Sequence, residues 1–246
     1  MKKILKLSLL TLFLSISLFA RSIDDIKKSG EVIIAIYEDF PPYSFIEDGV
    51  PKGIDIELGK MIAKSLDVKP VWSFTGFDED LASDLRNNIW RGNVVHKNKA
   101  DVMLRIPYDY DYLRITDKST GQLETDMVSI KGPYQSEKWI IATNKAVIPQ
   151  INTLGIFAYQ TIGVEIDLLP DLHISGFARG LLSKNIKHYN KFTDAINDLK
   201  SGKIDAVAGL KSQIEYLLDY KNNADKYYLT EDIPQMKSQW DLATAV

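Results

Sequence analysis

The pattern of hydrophobic positions along the chain alternates between runs typical of strands and runs typical of helices. From Val32 to Ile36 the chain is a continuous apolar run rich in β-branched residues, which predicts a buried strand. From Ile54 to Leu66 apolar residues recur at every fourth position, which predicts one face of an amphipathic helix. A second strand, a second helix and a third strand are predicted next, in VKPVWSF, DEDLASDLRNNIWRG and ADVMLRI.

The second half of the chain follows the same alternation. Strands are predicted in TIGVEI, IKHYNKF and KIDAVAGL, and helices in SGFARGLLSKN, TDAINDLKSG and KSQIEYLLDY. We expect Thr193 to cap the helix in TDAINDLKSG and Gly202 to stop it. Each half closes a helix with lysines and enters a strand through Asp-Val or Asp-Ala-Val. This quasi-repeat predicts an α/β fold of two doubly wound lobes with mostly parallel sheets.

Two extended segments connect the predicted lobes. VSIKGPYQSEKWIIATN leaves the first lobe and QWDLATAV returns to it at the end of the chain. The predicted boundaries are therefore 21–142 for lobe 1, 143–238 for lobe 2 and 239–246 for the return strand. Ligands of open α/β sheets bind beyond the carboxyl ends of the strands, so the predicted site is the cleft between the lobes.

The N-terminus differs from the rest of the chain. A basic start, MKKILK, precedes the apolar stretch LSLLTLFLSISLFA, which is short for a membrane span. We interpret residues 1–20 as a secretory signal peptide, cleaved after Ala20, and expect a soluble periplasmic protein. The alternative is an N-terminal anchor that is never cleaved.

Composition narrows the classes of function. With 246 residues, of which 45% are apolar, the chain can fill real cores, and a net charge of −3 without a basic block excludes nucleic acid as an expected partner. The absence of cysteine excludes disulfides and a lipidated cysteine anchor. His96, His173 and His188 are scattered without metal-ligand spacing. We therefore expect no catalytic residue, no metal and no cofactor.

One segment carries a family resemblance. GIDIELGKMIAKSL, residues 53–66, resembles the signature of family 3 periplasmic solute-binding proteins, and the order of the surrounding parts agrees. The resemblance implies a monomeric, hinged, two-lobe protein (periplasmic binding protein type 2-like) that closes on a small polar solute, expected to bear a carboxylate. It also implies delivery of that solute to an ABC importer. Family members continue past the return strand into helices that rejoin lobe 1, so with Val246 as the last residue either the sequence is truncated or lobe 1 lacks these helices.

Arginine is the expected anchor for the solute. Arg105 follows Asp-Val-Met-Leu at the carboxyl end of a predicted strand, and a charge buried there needs an anionic partner. That partner is either the solute or one of three acids in the same stretch, namely Asp101, Asp109 and Asp111. In the amino-acid binders of the family an arginine after this strand grips the ligand carboxylate, and the nearest match is Arg114. Both Arg105 and Arg114 are therefore candidates.

Aromatic residues are the second group of candidates. The resemblance places a ring that stacks on the solute in the Pro-Pro loop after the first strand, where Phe40 and Tyr43 flank the prolines and Tyr37 and Glu38 precede them. Tyr108, the first of three tyrosines that alternate with acids, is a further candidate. Trp72 and Trp90 are interpreted as core or lobe-surface residues.

Departures from the family pattern change the expected ligand. Amino-acid binders place an aspartate after the Asp-Ala-Val strand of lobe 2, where this chain has Leu210. Their Gly-Thr turn is replaced here by Asp167 and Leu168, which makes Asp167 a candidate ligand contact. A site built for an α-amino acid leaves buried groups unpaired with other ligands, so these losses argue against an ordinary amino acid.

Two alternative functions remain open at this point. DLRNNIWRG, ADVMLRIPYD, GPYQSEKWIIATN and GFARGLLSKNI resemble the solute-binding-like proteins associated with quinoprotein (methanol-type) dehydrogenases, which implies an accessory role with a periplasmic dehydrogenase as partner. The fold also hosts dehydratases similar to cyclohexadienyl dehydratase. In that case the general acid would be Glu38, Glu165 or Asp167.

Overall fold

The structure is a computed structural model that describes residues 21–76, 81–92, 98–110, 112–116, 121–237 and 239–246. The predicted signal peptide, residues 1–20, lies outside the described residues. The strands are β1 Glu31–Tyr37, β2 Phe45–Glu47, β3 Val50–Lys52, β4 Lys69–Thr75, β5 Val102–Tyr108, β6 Ile130–Asn144, β7 Ile162–Glu165, β8 Ile186–Tyr189, β9 Ala206–Leu210, β10 Tyr227–Leu229 and β11 Gln239–Ala245.

The helices occupy both halves of the chain. The α-helices are α1 Ile23–Ser29, α2 Ile54–Leu66, α3 Leu81–Leu85, α4 Leu169–Gly176, α5 Phe192–Lys200, α6 Lys211–Leu217 and α7 Tyr220–Asn223. A π-helical turn, Arg86–Trp90, continues α3. Short 3-10 turns lie at Tyr112–Arg114, Glu124–Met127, Leu154–Ala158, Phe177–Arg179 and Ser183–Asn185.

Nine of the described strands join in one sheet in the order β4-β1-β5-β11-β6-β9-β7-β8, with β10 paired to β6, and β2 and β3 form a separate antiparallel pair. We call the half with β4, β1 and β5 lobe 1, and the half with β9, β7 and β8 lobe 2. Within each lobe these strands run parallel, and every antiparallel pairing in the sheet involves β6 or β11. The predicted fold of two doubly wound α/β lobes is confirmed.

Strand β6 runs through both lobes without a break. Up to Lys138 it pairs with β11, and from Trp139 to Thr143 it pairs with β9. Strand β11 lies between β5 and β6, so both extended segments form the crossovers that the sequence predicts. The division of the chain at residue 142 stays a prediction, because β6 belongs to both halves.

Helix α2 packs close to the sheet of lobe 1. Its buried residues are Ile56, Gly59 and Ala63, together with Asp55, whereas Ile54 is 48% exposed. The predicted apolar face is therefore rotated toward the small residues. A Cβ atom at Gly59 would lie 2.5 Å from Cζ3 of Trp72, so the missing side chain lets the helix approach the strand.

Three helix predictions were wrong in their extent. The helix predicted over 78–92 is α-helical only in α3 and turns π-helical afterwards, and residues 78–80 lie outside the described residues. The helix predicted in SGFARGLLSKN lies earlier in the chain, as α4. Pro170 lies in the first turn of α4, where proline is favoured, and the helix ends at Gly176, two residues before Ala178 adopts a left-handed conformation. Helix α5 begins at Phe192 instead of being capped by Thr193.

The fit of α2 against the sheet generates a stability prediction. We expect Gly59→Ala to lower the free energy of unfolding by about 1 to 3 kcal/mol, because the added methyl group overlaps the Trp72 ring. Urea denaturation measures the change. The matched control is Gly176→Ala, whose added methyl group meets no atom within 4 Å, and an equal loss in both variants would contradict the packing argument.

Candidate functional site: a cleft between the lobes

A cavity of about 210 Å³ lies between the two lobes. It is lined by Tyr37, Phe40, Asp84, Arg105, Pro107, Trp139, Leu168, Leu210, Trp240 and Leu242. Tyr37 ends β1 and Leu210 ends β9, so strands of both lobes end at its walls. This is where ligands bind in open α/β sheets.

Arg105 is the cation of this cavity. Its side chain is only 4% exposed, and its Cζ atom lies 3.5 Å from the ring centroid of Tyr43 and 5.1 Å from that of Phe40. Guanidinium groups stack favourably on aromatic faces at such distances. The Arg105 backbone has φ +66°, a left-handed conformation that costs about 1–3 kcal/mol, and its N–H donates to the Tyr134 hydroxyl at 3.0 Å.

The ionic partner of Arg105 is Glu137 on the crossover strand β6. Nη2 of Arg105 lies 3.6 Å from Oε2 of Glu137, and both side chains are buried. The alternative partners predicted from the sequence were wrong where the structure describes them. Asp101 accepts from Nε of Arg21 at 2.8 Å, and Asp109 accepts from Nζ of Lys237 at 2.5 Å. Asp111 lies outside the described residues.

Glu137 connects the two lobes through hydrogen bonds. Its Oε2 atom accepts from the hydroxyl of Tyr43 in lobe 1 and, at 2.6 Å, from the hydroxyl of Ser212 at the start of α6 in lobe 2. Gln135 donates to the Tyr43 oxygen at 2.6 Å. Burial raises the pKa of Tyr43, which Arg105 partly opposes, so its hydroxyl keeps the proton that it donates.

One nitrogen of the Arg105 guanidinium is unpaired among the described residues. Its Nη1 atom is buried and has no hydrogen-bond partner among the described residues. Arginine carries five N–H donors that match a carboxylate bidentately, and an unpartnered buried donor is costly. The arrangement can therefore accept an anionic group from the cavity.

Asp55, at the start of α2, is a second unsatisfied charge. It is fully buried, and within the described part of the chain neither of its carboxylate oxygens has a hydrogen-bond partner. Burial raises its pKa from 3.8 to about 6, with Arg105 opposing the shift. The backbone of Asp55 is fixed in place, because its N–H donates to the carbonyl of Tyr43 at 2.9 Å.

Aromatic rings form two opposite walls. Phe40 stacks on Tyr43 at 5.7 Å between centroids and meets Tyr37 edge-on at 6.2 Å. Trp139 and Trp240 pack against each other at 5.2 Å. Pockets that are lined mainly by apolar and aromatic side chains, with few polar groups, are typical of small-molecule sites.

The predicted residues Tyr37, Phe40 and Arg105 meet in this cavity. Tyr43 lies beneath Arg105 and is not among the lining residues. Glu38 is exposed and lines a neighbouring cavity of about 180 Å³, which shares Phe40 with the first.

The other predicted residues lie apart from both cavities. Tyr108 is 39% exposed at the end of β5. Arg114 is exposed, with its Cζ atom 5.1 Å from the ring of Tyr110. Asp167 is exposed, and its backbone N–H donates to Asp171 at 3.1 Å.

Sequence reasoning missed several side chains of the site, among them Asp55, Asp84, Glu137, Trp139 and Trp240. Trp139 and Trp240 lie on the two crossover strands, which any two-lobe arrangement brings to the cleft, so that position was a usable signal. Asp84 accepts from the hydroxyl of Tyr37 at 2.8 Å, a contact between distant segments that no local pattern indicates.

Neither a metal-binding cluster nor a membrane-spanning helix occurs among the described residues. Among the described residues no group of histidine and acidic side chains can hold a metal ion. His188 contacts Asp171 at 3.0 Å, His173 contacts the carbonyl of Pro234 at 3.0 Å, and His96 lies outside the described residues. No helix in the described ranges is both long and apolar enough to cross a bilayer.

Two α/β lobes that are joined by crossover strands and separated by a cleft form the fold of type 2 periplasmic binding proteins. The family model of bacterial extracellular solute-binding proteins, family 3, matches residues 32–91. This range contains β1 and the signature helix α2. The predicted resemblance to family 3 is therefore confirmed over these residues.

Solved structures with the same fold cover most of the chain. Holo ArgBP from T. maritima is 24% identical with a TM-score of 0.60, over 92% of this chain and 86% of that chain. An ancestral cationic amino acid solute binding protein, AncCDT-1, is 20% identical with a TM-score of 0.64, over 92% and 86%. An ABC uptake transporter substrate binding protein from Streptococcus pneumoniae with bound histidine is 16% identical with a TM-score of 0.62, over 90% and 81%.

Comparison with curated protein sequences finds no match. At these identities the solved structures show the fold alone.

The buried ion pair generates a second stability prediction. We expect Glu137→Gln to lower the free energy of unfolding by about 3 kcal/mol, because it leaves the guanidinium of Arg105 without its anion. The matched control is Glu47→Gln, which removes an exposed pair with Lys52 and should cost less than about 1 kcal/mol. Similar losses in the two variants, measured by urea denaturation, would show that the buried pair is not special.

Asp55 generates a prediction about pH. Because the folded-state pKa of about 6 exceeds the ordinary 3.8, the folded chain binds this proton more tightly, so the Asp55 contribution to stability falls as pH rises through this window. We expect Asp55→Asn to gain about 2 kcal/mol relative to the wild type between pH 4 and pH 7, at ~1.4 kcal/mol per pKa unit. Denaturation at both pH values measures this gain.

The control for this experiment is Asp225→Asn, which changes an exposed carboxylate. It should show the same difference from the wild type at both pH values. A pH-independent effect of Asp55→Asn would refute the assignment of the raised pKa to this group.

Proposed function

We propose that this protein is a periplasmic solute-binding protein that closes on a small carboxylate-bearing solute and delivers it to an ABC importer. The observation that carries the proposal is the buried Nη1 atom of Arg105, which borders the cavity and lacks a partner among the described residues. A carboxylate supplies two acceptors in the plane of the guanidinium and completes its hydrogen bonds.

The size and lining of the cavity support a small solute with an apolar body. A volume of about 210 Å³ is below the range of ~300–1,000 Å³ that is common for drug-sized ligands. Leu168 and Leu210 form the lobe 2 wall where amino-acid binders are expected to place polar groups. An ordinary α-amino acid would therefore leave its ammonium group against leucine.

The proposed mechanism is closure without chemistry. In the described part of the chain β6 and β11 are the strands that link the lobes, and residues of both lobes line the cavity. A solute that contacts both lobes stabilises the closed arrangement by its higher affinity for that arrangement. No catalytic residue is required, so we propose that the protein is not an enzyme.

Similar proteins support this proposal. The related structures include ArgBP from T. maritima and an ABC uptake transporter substrate binding protein. The family description is extracellular, which agrees with export by the predicted signal peptide. We propose a monomer in the periplasm, with the membrane permease as its partner, on the basis of the same likeness.

The alternative functions have less support. The ancestral protein AncCDT-1 is described as an amino acid-binding precursor of cyclohexadienyl dehydratase, at 19% identity and a TM-score of 0.62. That likeness is to a binding protein, so it favours binding over dehydration. The accessory role beside a quinoprotein dehydrogenase stays a prediction from sequence resemblance.

The test is solute binding by the mature chain, residues 21–246, and by Arg105→Lys. We expect at least one small carboxylate to raise the midpoint of thermal unfolding, since ligand at 100 times Kd adds about 2.7 kcal/mol. Arg105→Lys keeps the ion pair with Glu137 but loses bidentate pairing, so it should abolish the shift.

The matched control is Arg114→Lys, which changes an exposed arginine and should retain the shift. Circular dichroism checks that both variants are folded. Carboxylate binding that survives Arg105→Lys, or that is lost in Arg114→Lys, would overturn the clamp.

A further inference from the structure

Asp55 is a buried charged group to which the proposed function assigns no role. It is fully buried, and neither of its carboxylate oxygens has a hydrogen-bond partner among the described residues. Buried polar groups are normally hydrogen-bonded, and a buried charge is costly unless it is paired. An unpaired carboxyl group in this position therefore needs an explanation.

Two tyrosines connect Asp55 to Arg105. The carbonyl of Tyr43 accepts from the backbone N–H of Asp55 at 2.9 Å, and the ring centroid of Tyr43 lies 3.5 Å from Cζ of Arg105. The hydroxyl of Tyr134 accepts from the backbone N–H of Arg105 at 3.0 Å, and burial together with the charge of Asp55 raises the pKa of Tyr134. Asp55 and Arg105 are therefore close enough for their charges to interact, although no ion pair joins these two described residues.

Three ionisable groups face Asp55 in the described part of the chain. They are Arg105 on β5, Tyr134 on β6 and Tyr43 in the Pro-Pro loop. The ionisable groups on β1, β3 and β4, which contact α2, bond elsewhere or lie at the opposite end of the sheet: Tyr37 donates to Asp84, Lys52 contacts Glu47, and Lys69 is the register partner of Glu31. On α2 itself Lys60 contacts Glu57, and Lys64 lies in the last turn. Arg105 is therefore the cation that acts on Asp55.

The balance of buried charge changes when a carboxylate reaches Arg105. With Asp55 ionised, the one positive charge of Arg105 faces the two negative charges of Glu137 and Asp55. The carboxylate of a solute adds a further negative charge, in surroundings where charges interact more strongly than in water. A proton on Asp55 removes one of these charges. It breaks no hydrogen bond of the carboxylate, because neither oxygen has a partner among the described residues.

The proton affinity of Asp55 suits this exchange. Burial raises its pKa from 3.8 to about 6, with Arg105 opposing the shift. Ordinary carboxyl groups have pKa values of about 4, so a small carboxylate solute stays ionised at pH values where Asp55 still gains or loses its proton.

We propose that Asp55 couples solute binding to proton uptake: when the carboxylate of a solute binds Arg105, Asp55 takes a proton from the solvent and becomes neutral. Asp55 does not contact the solute in this scheme and acts through Arg105. Because such coupling is reciprocal, a proton on Asp55 strengthens binding of the carboxylate, and the affinity rises as the pH falls. This inference rests on the proposed function, because it requires a carboxylate at Arg105.

The experiment measures the affinity for butyrate and for hexanoate by calorimetric titration of the mature chain, residues 21–246. We expect the affinity to rise about fivefold or more from about pH 8 to about pH 6, as an increase of about one unit or more in the pKa of Asp55 requires. Titrations near neutral pH in two buffers of different ionisation enthalpy should also show net proton uptake on binding. This second measurement tests the coupling in the wild type, without any variant.

Asp55→Asn separates the coupling from a structural role. The amide is uncharged at every pH, so this variant should bind at about pH 8 about as tightly as the wild type binds at about pH 6, and it should show neither pH dependence nor proton uptake. A merely structural role of Asp55 would weaken binding instead. The matched control is Asp225→Asn, which changes an exposed carboxylate and should keep both effects.

The outcomes distinguish this inference from the proposed function. If either acid binds without pH dependence and without proton uptake, or if Asp55→Asn keeps both effects, the role of Asp55 is overturned and the proposed function stands. If the acids bind Arg105→Lys as tightly as the wild type, the carboxylate clamp fails, and the coupling through Arg105 fails with it. If neither acid binds at either pH, both are overturned.

Discussion

The buried contact between Arg105 and Glu137 is the interaction on which the cleft depends. A guanidinium and a carboxylate, both 4% exposed, meet at 3.6 Å above the ring of Tyr43. Arg105 belongs to lobe 1, Glu137 to the crossover strand, and Ser212 of lobe 2 donates to the same carboxylate. Three parts of the chain that are far apart in sequence are therefore held by one charge pair, which buried surroundings strengthen and water would weaken.

The same pair shapes what the cleft can bind. Nη2 of Arg105 faces Glu137, and the guanidinium plane lies over the rings of Tyr43 and Phe40. Nη1 has no hydrogen-bond partner among the described residues. The charge of Arg105 is already balanced, so a solute anion gains mainly from directed hydrogen bonds. Such a site favours a carboxylate of the right shape over anions in general. Glu137 therefore balances the charge of Arg105, while the geometry of the hydrogen bonds from Arg105 contributes more to the affinity for the solute.

The sequence predicts the fold better than the site. Apolar runs such as Val32–Ile36 mark buried strands directly, and Arg105 was expected at the cleft because it follows such a run. Its partner Glu137 was not predictable, because β11 lies between β5 and β6 and sets a register that no local pattern contains. Helix α4 was misplaced because GFARGLLSKN looks helical by composition, whereas Ala178 and Arg179 adopt left-handed conformations. Tertiary contacts override propensity at such places.

Strand β6 changes partners between Lys138, which pairs with β11, and Trp139, which pairs with β9. Any swing of one lobe against the other then changes the backbone torsions at this point of β6 and at the second crossover, where the chain returns along β11. Glu137 lies beside this point on β6, where displacement is small, whereas side chains of either lobe that lie far from the crossovers move over a larger distance. Contacts beside the crossovers can persist while the lobes open and close, so they set the axis of motion. Contacts far from the crossovers form when the lobes close and break when they open, so they depend on whether a fitting solute occupies the cleft.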